Sequence, residues 1–484
     1  MDVVIRKQAI NITTSSEKLA FECRQVANAS INTDLAKIYE HLAEQIPPSN
    51  QYVIIDSLKV DLGTLSIQEF KNHFFELLED KLVIEFGIQL NSGNSTDILH
   101  SREQDSKYEP EGGEGSVTFS TANRQYQDAL LFFLRSGTFP WWYQKRDSKT
   151  PSEILTDFNK ANRIDLLIYL VTRARNSQAK SVKQTVKRLF YHLYESDYET
   201  YLIELAELYS GNEIIANVRI LIQQKASLVG LFQISTKEFY EQAFSFVLLA
   251  NDKANFIRMF LTHLSQLFPI KPDHIRAWPS ELLNREDFLP PSDKATTLQT
   301  PERPTPPKQS SNDVSEQEDG IYISNAGLVI LHPFLHPFFK NLSLLDEDNQ
   351  FISLDAQIRS AVILYYLQSG QEDYKEWEMP LNKILCGMAT DELIPNDITL
   401  SNQEKAESDL LLKTVIEYWG ALKKASIEAV QTTFLIREGK ITFKENHWLI
   451  QVERTGVDIL LDRLPWGIGT IKLPWLKELI YVEW

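Results

Sequence analysis

Tyr322-Ile323-Ser324-Asn325-Ala326-Gly327-Leu328-Val329-Ile330-Leu331-His332-Pro333-Phe334-Leu335 opens a span, Gly320–Trp484, with no linker-like interruption. The span closes through Leu460-Leu461-Asp462-Arg463-Leu464-Pro465-Trp466-Gly467 and Leu473-Pro474-Trp475 to Tyr481-Val482-Glu483-Trp484. Six of the nine tryptophans fall inside it: Trp377, Trp419, Trp448, Trp466, Trp475 and Trp484. Its pattern is mixed. Ala326–Leu331 and Phe334–Leu342 give short apolar elements, Gln357–Gln368 a helix, and Ser401 with Glu404 caps another that runs to about Tyr418. Ile427–Ile436 also reads as helical, ending at Glu438-Gly439. Ile441 and Phe443, a turn at Glu445-Asn446, then Trp448, Ile450 and Val452 alternate as a hairpin does. Leu479–Val482 adds an apolar strand.

Toward the N-terminus, residues 286–319 hold six of the twenty prolines, and Thr300–Pro307 reads Thr-Pro-Glu-Arg-Pro-Thr-Pro-Pro. That density favours an extended spacer without internal hydrogen bonds. Residues 119–285 follow helical spacing, with apolar stripes from Ile154 through Val182–Tyr194 to Phe256–Phe268. Thr150-Pro151-Ser152-Glu153 combines a capping box with proline at the first helical position. Ser235 and Glu238 cap a further helix, and breaks are expected near Gly211, Gly230 and Pro269. Gly137-Thr138-Phe139-Pro140-Trp141-Trp142-Tyr143 stops a helix and adds an aromatic corner.

Residues 91–118 are rich in Gly, Ser, Asn and acidic side chains, a composition that buries too little apolar surface to offset its ordering entropy. Residues 1–90 read as strand (Val3–Ile12), helix (Glu17–Ile46), strand (Tyr52–Leu62) and helix from Ser66, with Phe70, Phe74, Leu77 and Leu78 on one side. The expected fold is therefore mainly α with a smaller β component (α+β). It comprises a small N-terminal α/β unit (1–90), a flexible acidic linker (91–118), a central helical domain (119–285), a Pro-rich acidic linker (286–319) and a mixed C-terminal domain (320–484).

The chain has 49 Lys and Arg against 66 Asp and Glu, a formal charge of −17. This argues against binding along a phosphate backbone, so no nucleic acid is expected, and it fits a basic protein partner. Cys23 and Cys386 are the two cysteines, which gives neither a disulfide framework nor zinc spacing and suits a reducing cytoplasm. Charge interrupts Met1–Lys7 too early for a secretory core, and apolar runs such as Phe244–Ala250 fall short of the roughly 20 residues that span a bilayer. No membrane insertion is expected.

Five blocks in one order, Asn325–Leu335, Leu381–Gly387, Phe434–Gly439, Val452–Gly467 and Leu473–Trp484, resemble the C-terminal region of the contractile injection system tape measure family. These proteins belong to phage-tail-like extracellular injection particles. Ile55–Gly63 resembles the family's N-terminal signature, and Leu134–Trp142 another block. The resemblance implies a structural assembly protein rather than an enzyme. It would be held in the growing inner tube, help set tube length, and contact inner-tube, spike or hub, or terminator proteins. Its place would be the producing cell's cytoplasm, then the assembled particle. A globular assembly chaperone or cargo-loading adaptor of the same particle is the alternative, and a particle-borne hydrolase a more distant one.

The residues themselves specify no chemistry. There is no phosphate-cradling glycine loop, nucleophile elbow or metalloprotease pattern, so no catalytic, cofactor or metal residues are assigned. His332 and His336 stand four apart, but each precedes a proline, which disfavours helix at the histidines; His-Pro turns fixing a loop are expected instead. Asp56 and Asp61 are expected as exposed carboxylates on opposite faces of a strand. Asp462 with Arg463, and likewise Asn382 with Lys383, read as local pairing or capping. Trp141, Trp142, Trp466, Trp475, Tyr481 and Trp484 are the candidate docking residues, because Trp and Tyr dominate interface hot spots. Burial as staples of the fold competes with docking at the two Pro-Trp turns, and the oligomeric state is open.

Overall fold

The computed structural model describes residues 10–30, 34–44, 51–55, 58–93, 117–143, 149–208, 212–249, 255–268, 270 and 320–484. Contacts divide the chain into two compact units, Met1–Asp128 and Ala129–Trp484. Helix dominates, with a smaller β component.

The first unit contains α1 (Glu17–Ser30), α2 (Asp34–Glu44), β1 (Gln51–Ile55), α3 (Ile67–Gly93) and β2 (Val117–Thr121), with β1 and β2 antiparallel. α3 starts where its capping box places it: Ser66 N donates to Glu69 Oε2 at 2.8 Å, and Glu69 N donates to Ser66 Oγ at 3.2 Å. Its buried stripe, Phe70, Phe74, Leu78, Leu82 and Phe86, packs with Cys23 from α1 and with Leu35, Ile38 and Leu42 from α2. The strand expected to Leu62 stops at Ile55. Leu58, Val60 and Leu62 instead lay their apolar face on this helical core, in irregular backbone. Asp61 is exposed and caps the turn at Gly63, whose N–H it accepts at 2.8 Å. Of the expected strand Val3–Ile12, residues 1–9 lie outside the described residues and Ile10–Ile12 are irregular. Of the expected helix Glu17–Ile46, the described residues form α1 and α2, and residues 31–33 and 45–46 lie outside the described residues. Asp56, and most of the two expected linkers, lie outside the described residues; α3 occupies 91–93.

The second unit begins with α4 (Ala122–Ser136), which spans the boundary, then α5 (Pro151–Thr156), α6 (Lys160–Asn176), α7 (Ala179–His192), α8 (Tyr198–Leu208), α9 (Asn212–Gln223), α10 (Lys225–Phe232), α11 (Thr236–Leu249) and α12 (Phe256–Leu267). Thr150 and Glu153 form the expected capping box, as do Ser235 and Glu238. The break expected near Gly230 comes at Gln233 (φ 53°), which ends α10. Gly211 and Pro269 lie outside the described residues. Gly230 itself does not end the helix. It lies inside α10, where Leu228, Leu231 and Phe232 are buried, and packing outweighs the roughly 1 kcal/mol that glycine costs a helix.

Residues 320–484 add β3 (Ile321–Ile323), a 3-10 turn at Ala326–Leu331, α13 (His332–Asn341), α14 (Leu354–Ser369), α15 (Pro380–Leu385), α16 (Asn402–Tyr418) and α17 (Ile427–Val430). A π-helical turn, Gln431–Leu435, follows α17. β4 (Gly439–Lys444) and β5 (His447–Val452) form the expected hairpin, with Glu445 and Asn446 both at positive φ, 50° and 61°, as a type I′ turn requires. β6 (Thr470–Ile471) and β7 (Ile480–Glu483) complete a mixed sheet of order β3-β4-β5-β7-β6, in which β5 and β7 are parallel. Ile441, Ile450, Val452, Ile480 and Val482 face the core with α14, α16 and Trp419. Gly327 is obligatory: a Cβ there would stand 1.7 Å from the Phe434 carbonyl oxygen.

Candidate functional site

The most constrained cluster in Ala129–Trp484 is ionic. α7 carries a polar stripe, Lys180, Gln184 and Arg188, at helical spacing beside its apolar one. Lys180 Nζ and Gln184 Nε2 reach Glu392 at 3.1 and 2.7 Å. Arg188 grips Glu376 with two bonds, 2.9 and 2.8 Å, and also donates to the carbonyls of Leu134 (2.9 Å) and Asp391 (2.7 Å). Lys383 on α15 donates to the same carboxylate and to the Thr390 carbonyl, each at 3.0 Å. Arg188, Glu376 and Lys383 are 1%, 7% and 0% exposed.

Burial alone would push the Glu376 carboxyl up, but Arg188 and Lys383 hold it below the ordinary carboxylate range. Burial lowers Lys383, against the opposing pull of Glu376. Gly137 (φ +75°) closes the cluster from the end of α4; a Cβ there would lie 2.8 Å from Glu376 Oε1. Phe139 follows, packed on Phe133, Tyr143 and Trp377 at 5.2, 4.5 and 5.5 Å between ring centres. His192 packs on Phe133 and Trp377, and burial pushes it down to about 4.

A second buried network adjoins this one along α15. Asn325 Nδ2 donates to Gln368 Oε1 (2.7 Å) and Asn382 Oδ1 (2.8 Å), and Asn382 Nδ2 donates to the Ala361 carbonyl (3.2 Å). The sequence blocks are thus bonded to one another. Trp475 Nε1 donates to the Leu385 carbonyl at 2.8 Å, and Trp466 Nε1 to the Ile330 carbonyl at 3.0 Å. Arg437 is paired with Asp458 and bonded to Thr455, while Trp484 Nε1 reaches Asp458 Oδ2 at 3.1 Å.

A family model for the contractile injection system tape measure protein matches residues 1–484, the whole chain. The chain belongs to that family. No curated protein and no solved structure matches it. The blocks by which the chain resembles the family, from Leu134–Trp142 to Leu473–Trp484, supply most of the contacts just described. Their chemistry is that of holding one arrangement: large indoles with one N–H each, amides in mutual register, and charges with geometric partners.

Among the candidate docking residues, Trp475 is buried against Phe339, Phe351 and His336. Trp466 is half-buried against Phe334, 5.0 Å away. Trp484 is half-buried, and Arg454 donates to its carbonyl oxygen at 2.5 Å. Trp141 and Trp142 are half-buried at the corner after α4, and Tyr481 is exposed on the outer face of β7 against His447. Trp475 thus enters the core, whereas Tyr481 faces outward.

His332 and His336 lie in α13, not in the expected non-helical turns. Pro333 sits in the first turn, where its missing N–H costs nothing, and burial of Leu335, Phe338 and Phe339 carries the helix past Pro337. His332 Nε2 donates to the Gly467 carbonyl at 2.9 Å, and His336 Nε2 bonds Asn349 Oδ1 at 2.8 Å, so the two rings serve separate loops. Among the described residues no group of three His, Cys, Asp or Glu could hold a metal, and no helix is long and apolar enough to cross a membrane. The local pairing or capping expected for Asn382 with Lys383 is not what the structure shows: Lys383 is held by Glu376 and the Thr390 carbonyl, and Asn382 by Asn325 and the Ala361 carbonyl. Arg188 and Glu376 gave no signal in the sequence.

Proposed function

We propose that this chain acts as the tape measure component of its particle: it occupies the growing inner tube, helps set tube length, and contacts the spike or hub end. The whole-chain family match carries this reading. The work is stoichiometric occupancy and contact rather than turnover. The chain is made in the cytoplasm of the producing cell and ends inside the particle, and the exposed parts of Trp141, Trp142, Tyr481 and Trp484 serve as contacts to tube, hub or terminator proteins. Electron microscopy of particles carrying repeats or deletions within residues 286–319 tests it. Tube length should follow the length of chain supplied; tubes of unchanged length in every variant would end the ruler reading.

A second reading has its own support in the Ala129–Trp484 unit. A continuous helix of 484 residues would reach about 730 Å, at about 1.5 Å per residue. This chain instead folds a 3-10 turn, a mixed sheet and a buried ionic cluster into one compact unit. That form suits a chaperone or cargo adaptor that binds as a folded body. Mass spectrometry with copy number separates the two: a ruler stays in finished particles at fixed copy number, and a chaperone is missing from them.

A further inference from the structure

The acidic balance of the chain is strongly reversed over one stretch. Residues 160–192 hold eight of its 49 Lys and Arg and one of its 66 Asp and Glu. Within that span Arg163 is paired with Glu204 and Arg188 with Glu376, both at 2.8 Å. Lys180 meets Glu392 at 3.1 Å while remaining 65% exposed, a pair that solvent screens strongly.

Four of the eight cations gather where α6 turns into α7. Arg173 and Arg175 lie in the last turn of α6, and Lys180 and Lys183 in the first turns of α7, with Ser177 and Gln178 between the helices. Arg173 donates to Ser181 Oγ at 2.8 Å, which ties the two ends together, and its buried Nε has no hydrogen-bond partner. Lys183 stands close enough to α12 for its charge to add to burial in lowering His263. The arginines complement the negative end of α6, but the lysines oppose the positive end of α7. α7 has no acidic residue in its first turn, and Gln178 makes no capping bond. The fold therefore concentrates positive charge at a corner where its own electrostatics favour an anion.

We propose that the α6–α7 corner is a docking surface for an acidic segment of a partner protein, with Arg173, Arg175, Lys180 and Lys183 receiving its carboxylates. Charge complementarity names the partner's chemistry. A nucleic acid fits less well, because a duplex carries a charge about every 1.7 Å and would run from this corner onto a chain that is elsewhere strongly acidic. A short run of Glu or Asp ends within the basic patch.

The test uses the full chain and a fluorescein-labelled peptide of glutamates, with binding read by anisotropy over a salt series. The wild-type chain should bind at low salt and weaken as salt rises. Arg173→Glu, Arg175→Glu and Lys183→Glu together should lower affinity tenfold or more. If that variant does not fold by circular dichroism, the corresponding Gln triple variant decides, with a smaller loss expected. Lys423→Glu with Lys424→Glu, at exposed positions elsewhere, should leave binding unchanged. Equal binding by a folded triple variant, equal loss in the control, or no binding by the wild type would overturn the proposal. So would a single-stranded oligonucleotide that binds more tightly through the same residues.

Discussion

Among the described residues of Met1–Asp128 the ion pairs stay outside the core. Lys71–Glu22 (2.8 Å) joins α3 to α1 and His41–Glu79 (2.7 Å) joins α2 to α3, with every partner at least a third exposed, while the core beneath is apolar. Ala129–Trp484 also has partly exposed pairs such as Lys180–Glu392, but one of its clusters goes inside. Arg188, Glu376 and Lys383 are all nearly or wholly buried, and they join α7 and α15 through the loop between α14 and α15. The difference teaches where sequence change should be tolerated. An exposed pair returns to water when one partner is lost, whereas a buried cluster is left with uncompensated charge.

The largest expected effect is Glu376→Gln. It leaves Arg188 and Lys383 buried without their carboxylate and should cost about 3–5 kcal/mol in urea unfolding of the full chain. Arg188→Met should cost less, because Glu376 and Lys383 remain as a matched pair. A near-zero effect of Glu376→Gln would erase the contrast between the units.

Next comes acid. His192 titrates near 4 in the folded chain against about 6.5 unfolded, so its contribution is fully present above about pH 6.5. It is lost as pH falls toward 4, where the unfolded chain binds a proton that the folded chain does not, on the order of 3 kcal/mol in all. Glu376, Arg188 and Lys237 bear on this titration. His192→Gln removes it. The stability difference between wild type and variant should therefore narrow from pH 7 to pH 4; a constant difference would contradict the assignment.

Ser401→Ala removes the N-cap of α16, whose box with Glu404 is complete. About 1 kcal/mol should be lost, seen as a lower urea midpoint at unchanged slope. The smallest effect belongs to Lys71→Met, which breaks an exposed pair with Glu22. Its midpoint should match the wild type within error, and a clear drop would mean that surface charge supports the first unit after all.

Much of the architecture was legible. The capping boxes at Ser66, Thr150 and Ser401, and the hairpin at Glu445-Asn446, stand where expected, because each is set by residues within a few positions of one another. Errors arose where local signals met distant packing. Pro333 and Pro337 predicted non-helical turns, yet burial of their helical neighbours overrode the local cost. The strand reading of Tyr52–Leu62 holds as far as Ile55, which pairs with β2, but the alternating Leu58, Val60 and Leu62 found helices rather than a neighbouring strand.

By itself, the sequence determined the mainly helical class, the helix starts, the hairpin and the family, all of which depend on short-range pattern or on ordered blocks along the chain. Only the tertiary structure decided what the signature residues do. Trp475 and Trp466 turn their N–H groups to carbonyls 90 and 136 residues away, and Arg188 meets Glu376 across 188 residues. A tryptophan that anchors a partner and one that locks a core read alike in sequence. They differ in whether a carbonyl and a set of rings wait at the end of the fold, and that is fixed by packing between elements distant along the chain.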